Sequence, residues 1–412
     1  MLYVINPDLQ SFDTYVRTHP QHSIYQSTGW AGVKREWDCL RIVAQIDGKI
    51  VGAAQILIRR FPLGKALFYI PRGPLWDADY PEVKSGLMAK IYEEAKKQGA
   101  FLIKFDPNRI VSIKNQKDEV LFSDQPLDDY MSMHNAIIHL GFKTDMAAYA
   151  QPRFNAVVMA KNDLIEQCSS STKRNIKIAL RKNVVVRHAG KEDLDTLARV
   201  VGLTEKRKHV ALRNRDYFQR FFEAFPNEAH IFIASIDLVG QLTNVVAELA
   251  EIQLVRGTTD LASKSGMQQT DKLNALEKEQ SFLQKQIEKD GNNVDVSGFL
   301  VLIYADTCEF LYSGSNAEYS KYYAPYLMWM RVMEYAKEHG CTKLNFGGMP
   351  GTLDDGLWEF KRSFGATVVE YIGEFDLPVS KFWYTVFQNG IPIAKKIYHR
   401  SMKLFKKTTA NT

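Results

Sequence analysis

The chain has 412 residues, 45% of them hydrophobic and 24% charged, which is ordinary for a globular protein and long enough for two domains with sizeable cores. No stretch reaches the roughly 20 apolar residues that span a bilayer, and the start Met1–Asn6 has neither a basic region nor a long apolar run, so neither a membrane helix nor a signal peptide is expected. The net charge of +6 is mildly basic and suits a polyanionic partner or an anionic surface, and the scattered Cys39, Cys168, Cys308 and Cys341 read as free thiols of a reducing compartment rather than zinc ligands.

In chain order, the first half reads as mixed α and β. Ser27 and Thr28 cap a helix that runs through Trp30, Val33, Lys34 and Trp37. The runs 41–46 and 50–58 form a hairpin across the Asp47-Gly48 turn signal. A strand over 66–70 leads into Pro71-Arg72-Gly73-Pro74, and a helix covers 81–98. A buried strand, 101–105, ends at Asp106-Pro107, and a second helix is expected over about 129–140.

The order then recurs. A helix is expected over 191–208, strands at 230–235, 299–305 and 307–312, a helix over 325–339 and a strand at 342–346. A helix around 358–364 and a strand reaching about 375 follow. This repetition predicts a duplicated α/β unit, an inference from order alone, since the halves show no evident identity. Between strands of the second unit, Leu242, Val245, Leu249 and Ile252, then Leu273, Leu276, Leu283 and Ile287, with Gln280 at a core-facing position, follow the spacing of an antiparallel coiled-coil arm. The arm's charge is mixed, so a solvated structural hairpin and a nucleic-acid dock both stand. The segment 380–407 reads as a helix kinked at Pro392, rich in lysine and aromatic residues and without an acidic one. It suits an anionic membrane surface or a terminal helix docked on the body. The expected divisions are 1–150 for the first unit, 151–237 with 294–379 for the second, 238–293 for the arm and 380–412 for the basic helix.

Several stretches together resemble the FemABX family of non-ribosomal peptidyltransferases, which build peptidoglycan interpeptide bridges, and within it the MurM/MurN-like branch. They are Gln26-Ser27-Thr28-Gly29-Trp30-Ala31-Gly32-Val33-Lys34, Phe68–Pro74, Ile103–Pro107, Ser171–Lys177, Leu212–Phe218, Tyr312–Ser315 and Phe360–Gly365. The resemblance spans nearly the whole chain in the family's order. It implies two tandem GNAT-like (acetyltransferase-like) α/β units, the second bearing the arm. It also implies transfer of an amino acid from aminoacyl-tRNA to an amine on the stem peptide of lipid II or a UDP-linked muropeptide. The setting would be cytoplasmic, at the inner face of the membrane.

Such a reaction aminolyses an activated ester. It needs alignment of amine and carbonyl, removal of a proton and stabilisation of an oxyanion, and no covalent nucleophile. The tRNA ester already stores the energy, so no cofactor and no metal are expected. Helical spacing sets Lys34 between Trp30 and Trp37, a cation flanked by rings. Arg213 and Tyr217, four apart, point together from a helix start. By resemblance, Lys34 and Arg213 grip the precursor's diphosphate, Tyr312 is a site tyrosine, and Lys361 is an essential lysine that stabilises the oxyanion or meets the tRNA end. Against this, Lys361 reads equally as a solvated helix lysine and Tyr312 as a core residue. Asp106, at a strand end, is a candidate base. Asp77 and Asp79 are weaker substrate contacts by analogy. Two other readings remain: an acetyl-CoA-dependent N-acetyltransferase, against which the absence of its Gly-rich loop counts, and a non-catalytic tRNA- or lipid-binding module. The donated amino acid stays open among Ala, Ser and Gly, and oligomeric state is open too.

Overall fold

The computed structural model describes residues 1–161, 163–208, 213–256 and 263–390. It divides into two compact units. One comprises Met1–Ala156, Gly348–Trp358 and the chain from Thr367, and the other comprises Val157–Gly347 with Glu359–Ala366.

The first unit opens with β1 (Leu2–Ile5), α1 (Leu9–Thr18) and α2 (Thr28–Val33). An antiparallel meander follows: β2 (Asp38–Ile46), β3 (Lys49–Phe61) and β4 (Lys65–Arg72), with the short β5 (Leu75–Trp76) on β3. Asp47 and Gly48 carry the β2–β3 turn with φ of 49° and 77°, the left-handed pair that a tight hairpin requires. Helix α3 (Glu82–Lys97) then crosses over and delivers β6 (Ala100–Pro107) parallel to β4. The rest of the unit's first stretch is β7 (Ile110–Lys114), β8 (Val120–Ser123), α4 (Leu127–Met131) and β9 (Ile138–His139). Leu87, Met88, Ile91 and Ala95 recur at helical spacing on α3 and pack with Ile56, Phe68, Ile103 and Phe105 of the sheet. Each such buried side chain larger than alanine contributes about 1.5–3 kcal/mol.

The second unit takes part of β10 (Phe154–Met159), then α5 (Ser170–Arg181), β11 (Val185–Ala189), α6 (Leu194–Lys208) and α7 (Arg215–Ala224). Strand β12 (Ala229–Asp237) is followed by α8 (Leu238–Arg256) and α9 (Lys264–Asp290), which pack on one another, before β13 (Asn293–Tyr304) returns antiparallel to β12. Strand β14 (Thr307–Ser315) completes the meander. Helix α10 (Ala324–Glu338) crosses over to β15 (Lys343–Met349), parallel to β14, and α11 (Gly356–Arg362) follows. The chain ends in β16 (Thr367–Tyr371), which pairs with β7, in β17 (Phe375–Pro378), and in a helix at 381–390.

Strand, two helices, meander, crossover helix, parallel strand: the order occurs once as β1 to β6 and again as β11 to β15. The expected duplication is therefore present in the topology, where pairwise identity of the halves is not.

Four expectations change. The helix expected over 129–140 is only α4. Beyond it Ile138 and His139 pair antiparallel with Asp376 and Phe375, a distant partner that overrides local helical preference. The span 294–379 is not all second unit, because β17 pairs with β6 and belongs to the first. In the α8–α9 arm, Val245, Leu249, Leu273 and Leu283 are buried as expected, but the buried polar residue is Gln286, which accepts from Tyr319 Oη at 3.2 Å, while Gln280 is half-exposed. Of the expected C-terminal helix, 381–390 is helical. Tyr384 and Gln388 donate to Asp376 at 2.9 and 3.1 Å, and Phe387 packs on Phe61 and Phe101. The remainder, with Pro392, lies outside the described residues. No helix among the described residues is long and apolar enough to cross a membrane.

Candidate functional site

In the first unit the site is built at the C-terminal ends of the parallel pair β4–β6, where Pro71 lies opposite Asp106. Asp106 is 2% exposed. Its two oxygens accept from Tyr69 Oη at 2.7 Å and from the Arg72 backbone N–H at 2.6 Å. Burial pushes its carboxyl up to about 7, against the pull of the Arg72 guanidinium and N–H. Arg72 sits at φ 51°, donates to the Pro152 carbonyl at 2.8 Å, and lays its guanidinium 4.1 Å from the Tyr371 ring. The strained turn is pinned from below. Gln26, fully buried, donates to the Pro71 carbonyl at 2.6 Å and accepts from the Gln55 N–H at 2.8 Å. A Cβ on Gly73 would meet Gln26 at 2.7 Å, so only glycine fits there. Gln26 therefore ties the Arg72 turn to the entry of α2, a physical reason for two of the resembling stretches.

Helix α2 ends at Val33, with Lys34 as its C-cap. Lys34 Nζ lies 5.3 Å from the Trp30 ring. Trp37 falls past the helix end, so the expected cation between two tryptophans is a cation on one. Trp37 instead packs 6.4 Å from Tyr69 and lies 5.8 Å from the Arg59 guanidinium. With Glu36, Asp38, Ile58, Arg59 and Arg60 it lines a cleft of about 410 Å³. Asp77 accepts from Tyr15 Oη at 2.8 Å. Asp79 lies exposed in the turn between β5 and α3.

In the second unit Arg213 immediately precedes α7, whose N-cap is Asn214. Its guanidinium lies 4.8 Å from the Tyr217 ring, and Tyr217 Oη is 2.9 Å from Tyr312 Oη. The structure thus brings Arg213, Tyr217 and Tyr312 together. A register shift in β13–β14 leaves Leu311 as the extra residue beside Tyr312, a bulge that re-aims the neighbouring side chain. Arg220, whose guanidinium is 5.9 Å from the same Tyr217 ring, was not anticipated; its place three residues beyond Tyr217 on an amphipathic helix was the available signal.

Lys361 is 4% exposed and is no solvated helix lysine. Its ammonium donates to the Gly347 carbonyl at 3.0 Å, at the end of β15, where Gly347 takes φ 78°. Its neighbours in the chain, Phe360 and Phe364, belong to a ring cluster: Trp329 lies 5.0 Å from Phe360, 5.7 Å from Phe364 and 4.7 Å from Phe346. A buried ammonium fixed on a backbone carbonyl is the kind of group that can serve a developing oxyanion. Among the described residues no group of three or more His, Cys, Asp or Glu is placed to hold a metal ion.

Two folding units of one repeated topology define the class, and a solved tandem GNAT protein from the clavulanic acid pathway shares that architecture at a TM-score of 0.50 and 9% identity, covering 92% of this chain and 99% of its own. A model of the FemAB family matches residues 8–389, and the chain belongs to that family. The solved structure of FemX aligns with a TM-score of 0.74 and 27% identity over 94% of this chain and 99% of that one. The lipid II:glycine glycyltransferase of Staphylococcus saprophyticus is 28% identical over 97% of both chains. That of Staphylococcus aureus is 28% identical over 97% of this chain and 98% of its own.

Proposed function

We propose that this protein is an aminoacyltransferase that moves an amino acid from aminoacyl-tRNA to an amine on the stem peptide of lipid II. The observation that carries the reading is the end-to-end similarity to two transferases whose names specify lipid II as acceptor. The geometry supports it with fixed cations of three kinds. Lys34 on Trp30 and Arg213 on Tyr217 are each suited to phosphate oxygens, and the buried Lys361, held on the Gly347 carbonyl, is suited to an oxyanion. Trp37, on the cleft wall, offers a ring face to a sugar or base, and Tyr312 and Tyr217 offer hydroxyls.

The acceptor amine attacks the ester carbonyl, and the tetrahedral intermediate collapses with loss of the tRNA ribose hydroxyl, which takes a proton. Direct approach to Asp106 is denied by its burial; a proton reaches it through the Tyr69 hydroxyl, at a carboxyl poised near neutrality. The ester supplies the driving force, so the reading needs no cofactor. Membrane association is peripheral in this reading, through the basic C-terminal segment.

The test is turnover of a lipid II analogue with charged tRNAs, followed by mass spectrometry. Gly-tRNA is the first donor to try, with Ala and Ser next. A mass gain of one amino acid is the expected result. Product only with acetyl-CoA, or binding without product, overturns the reading.

A further inference from the structure

We propose that one face of the first unit, formed by the β3–β4 turn and the helix at 381–390, is the surface that seats this protein on an anionic lipid bilayer. The inference rests on the function above for its purpose, and on the following geometry for its place.

Leu63, at the tip of the β3–β4 turn, is 79% exposed and sits at φ 63°. Both choices cost stability. A leucine in left-handed backbone is strained where glycine or asparagine is not, and its side chain meets water. Neither the turn nor the core gains from it. Beside it, Phe382 and Val386, one helical turn apart, are 68% and 45% exposed.

These residues share one face. Phe61, which precedes the turn, packs 6.2 Å from Phe387. Lys65, which follows it, places its ammonium 5.3 Å from the Trp383 ring, and Trp383 packs 5.3 Å from Phe382. The turn and the helix are thus locked side by side, their inner residues packed and their outer residues apolar and bare.

The charge around this patch matches a bilayer of anionic headgroups. Lys65 and Lys381 border it, and Arg59 lies 5.5 Å from Phe61. The nearby Asp38 is neutralised by Arg60 at 2.9 Å. The chain that leaves this helix, 391–412, carries Lys395, Lys396, Arg400, Lys403, Lys406 and Lys407 and no acidic residue. Apolar side chains in a basic border are what an interfacial protein presents to a membrane.

The patch also adjoins the cleft. Arg59 contacts the Trp37 ring on one side and Phe61 on the other. A lipid-linked acceptor whose polar head occupies the cleft beside Trp37 therefore has its hydrocarbon chain directed over Phe61 into the bilayer. The acceptor need not leave the membrane to react.

Flotation of the full-length protein with vesicles tests this. Vesicles of phosphatidylglycerol and phosphatidylcholine should carry the wild type, and phosphatidylcholine alone should carry much less. The double variant Leu63→Glu, Phe382→Glu should lose about tenfold in partition to the anionic vesicles. Leu121→Glu, at an apolar position on β8 that is 61% exposed, is the control and should partition as the wild type does. Equal partition of the double variant and wild type overturns the proposal. So does a change of oligomeric state in the double variant with vesicle binding intact, which would make the face a contact between copies. Vesicle binding is read without any acceptor, so it judges the patch whether or not transfer is observed. With activity in hand, the double variant should turn over a soluble UDP-linked acceptor as the wild type does and lose about tenfold on vesicle-embedded lipid II.

Discussion

At the C-terminal ends of its central parallel strands, the first unit keeps a carboxyl, a phenol and a guanidinium, whereas the second keeps a buried ammonium on a backbone carbonyl. The contrast extends beyond these strand ends. Under the first sheet, Lys104 is paired with Glu374 and, at 2.7 Å, with Asp376, both carboxylates almost fully buried. In the second, His188, His230 and His339 cluster around Tyr335, with His188 Nε2 3.2 Å from His230 Nδ1. The two units share the strand order, while their clusters of ionisable groups differ in kind. One unit places a buried carboxyl at its strand ends, and the other an ammonium bonded to a backbone carbonyl.

The largest expected effect breaks the paired side of this contrast. Asp376→Ala removes a partner from Lys104 and both anchors of the 381–390 helix, and should cost about 3–5 kcal/mol in a denaturant titration, with Asp376→Asn costing less. An unchanged midpoint would mean that Glu374 alone satisfies Lys104. Next comes the buried ammonium. Lys361→Met should lower kcat by about 10²–10³ with KM little changed, the mark of a group acting in the transition state. Third, Arg213→Ala should raise KM for the acceptor about tenfold, more than Lys34→Ala, because Arg213 brings a planar fork with two hydroxyls beside it. An equal loss from both would erase that difference between the units.

The smallest effect separates the units by pH. Asp106 has its carboxyl raised from 3.8 to about 7, so its folded form holds the proton more tightly than the unfolded chain. Stability from this group falls as pH rises from about 4 to 7. His230 is lowered from 6.5 to about 4 by burial and by its histidine neighbours, so its contribution is present above pH 6.5 and is lost as pH falls toward 4. Hydrogen exchange, corrected for intrinsic rates, should therefore show β12 losing protection on acidification while β6 gains relative to it. Asp106→Asn should abolish the pH dependence in β6 only.

Much of the fold was legible because local signals agreed with it. Asp47-Gly48 demanded its hairpin, α3 showed its apolar stripe, and the order of elements exposed the duplication. What escaped depended on distant partners. His139 bonds Ile372 across 233 residues, and no local pattern announces that strand. The candidate site was half legible. Arg213 and Tyr217 meet as their spacing predicted, although only coordinates reveal that the Tyr217 and Tyr312 hydroxyls touch. Lys361 stood in the sequence both as a site lysine and as a solvated one, and its burial against the Gly347 carbonyl of β15 appears only in the fold. Trp37 was set on a helix that stops four residues earlier, since the backbone turns out at Lys34 to enter β2.

The arm has its own consequence. Asp237 and Asn293 are still register partners where the helices leave and rejoin the sheet, and Leu238 N–H bonds the Asn292 carbonyl at 2.9 Å. A tight connection of a few residues could close the same hairpin. The outer ends of the two helices can therefore be lengthened or shortened with every downstream strand still in step, while their bases stay bound to the body, where Tyr319 donates to Gln286 at 3.2 Å and Lys321 pairs with Glu279.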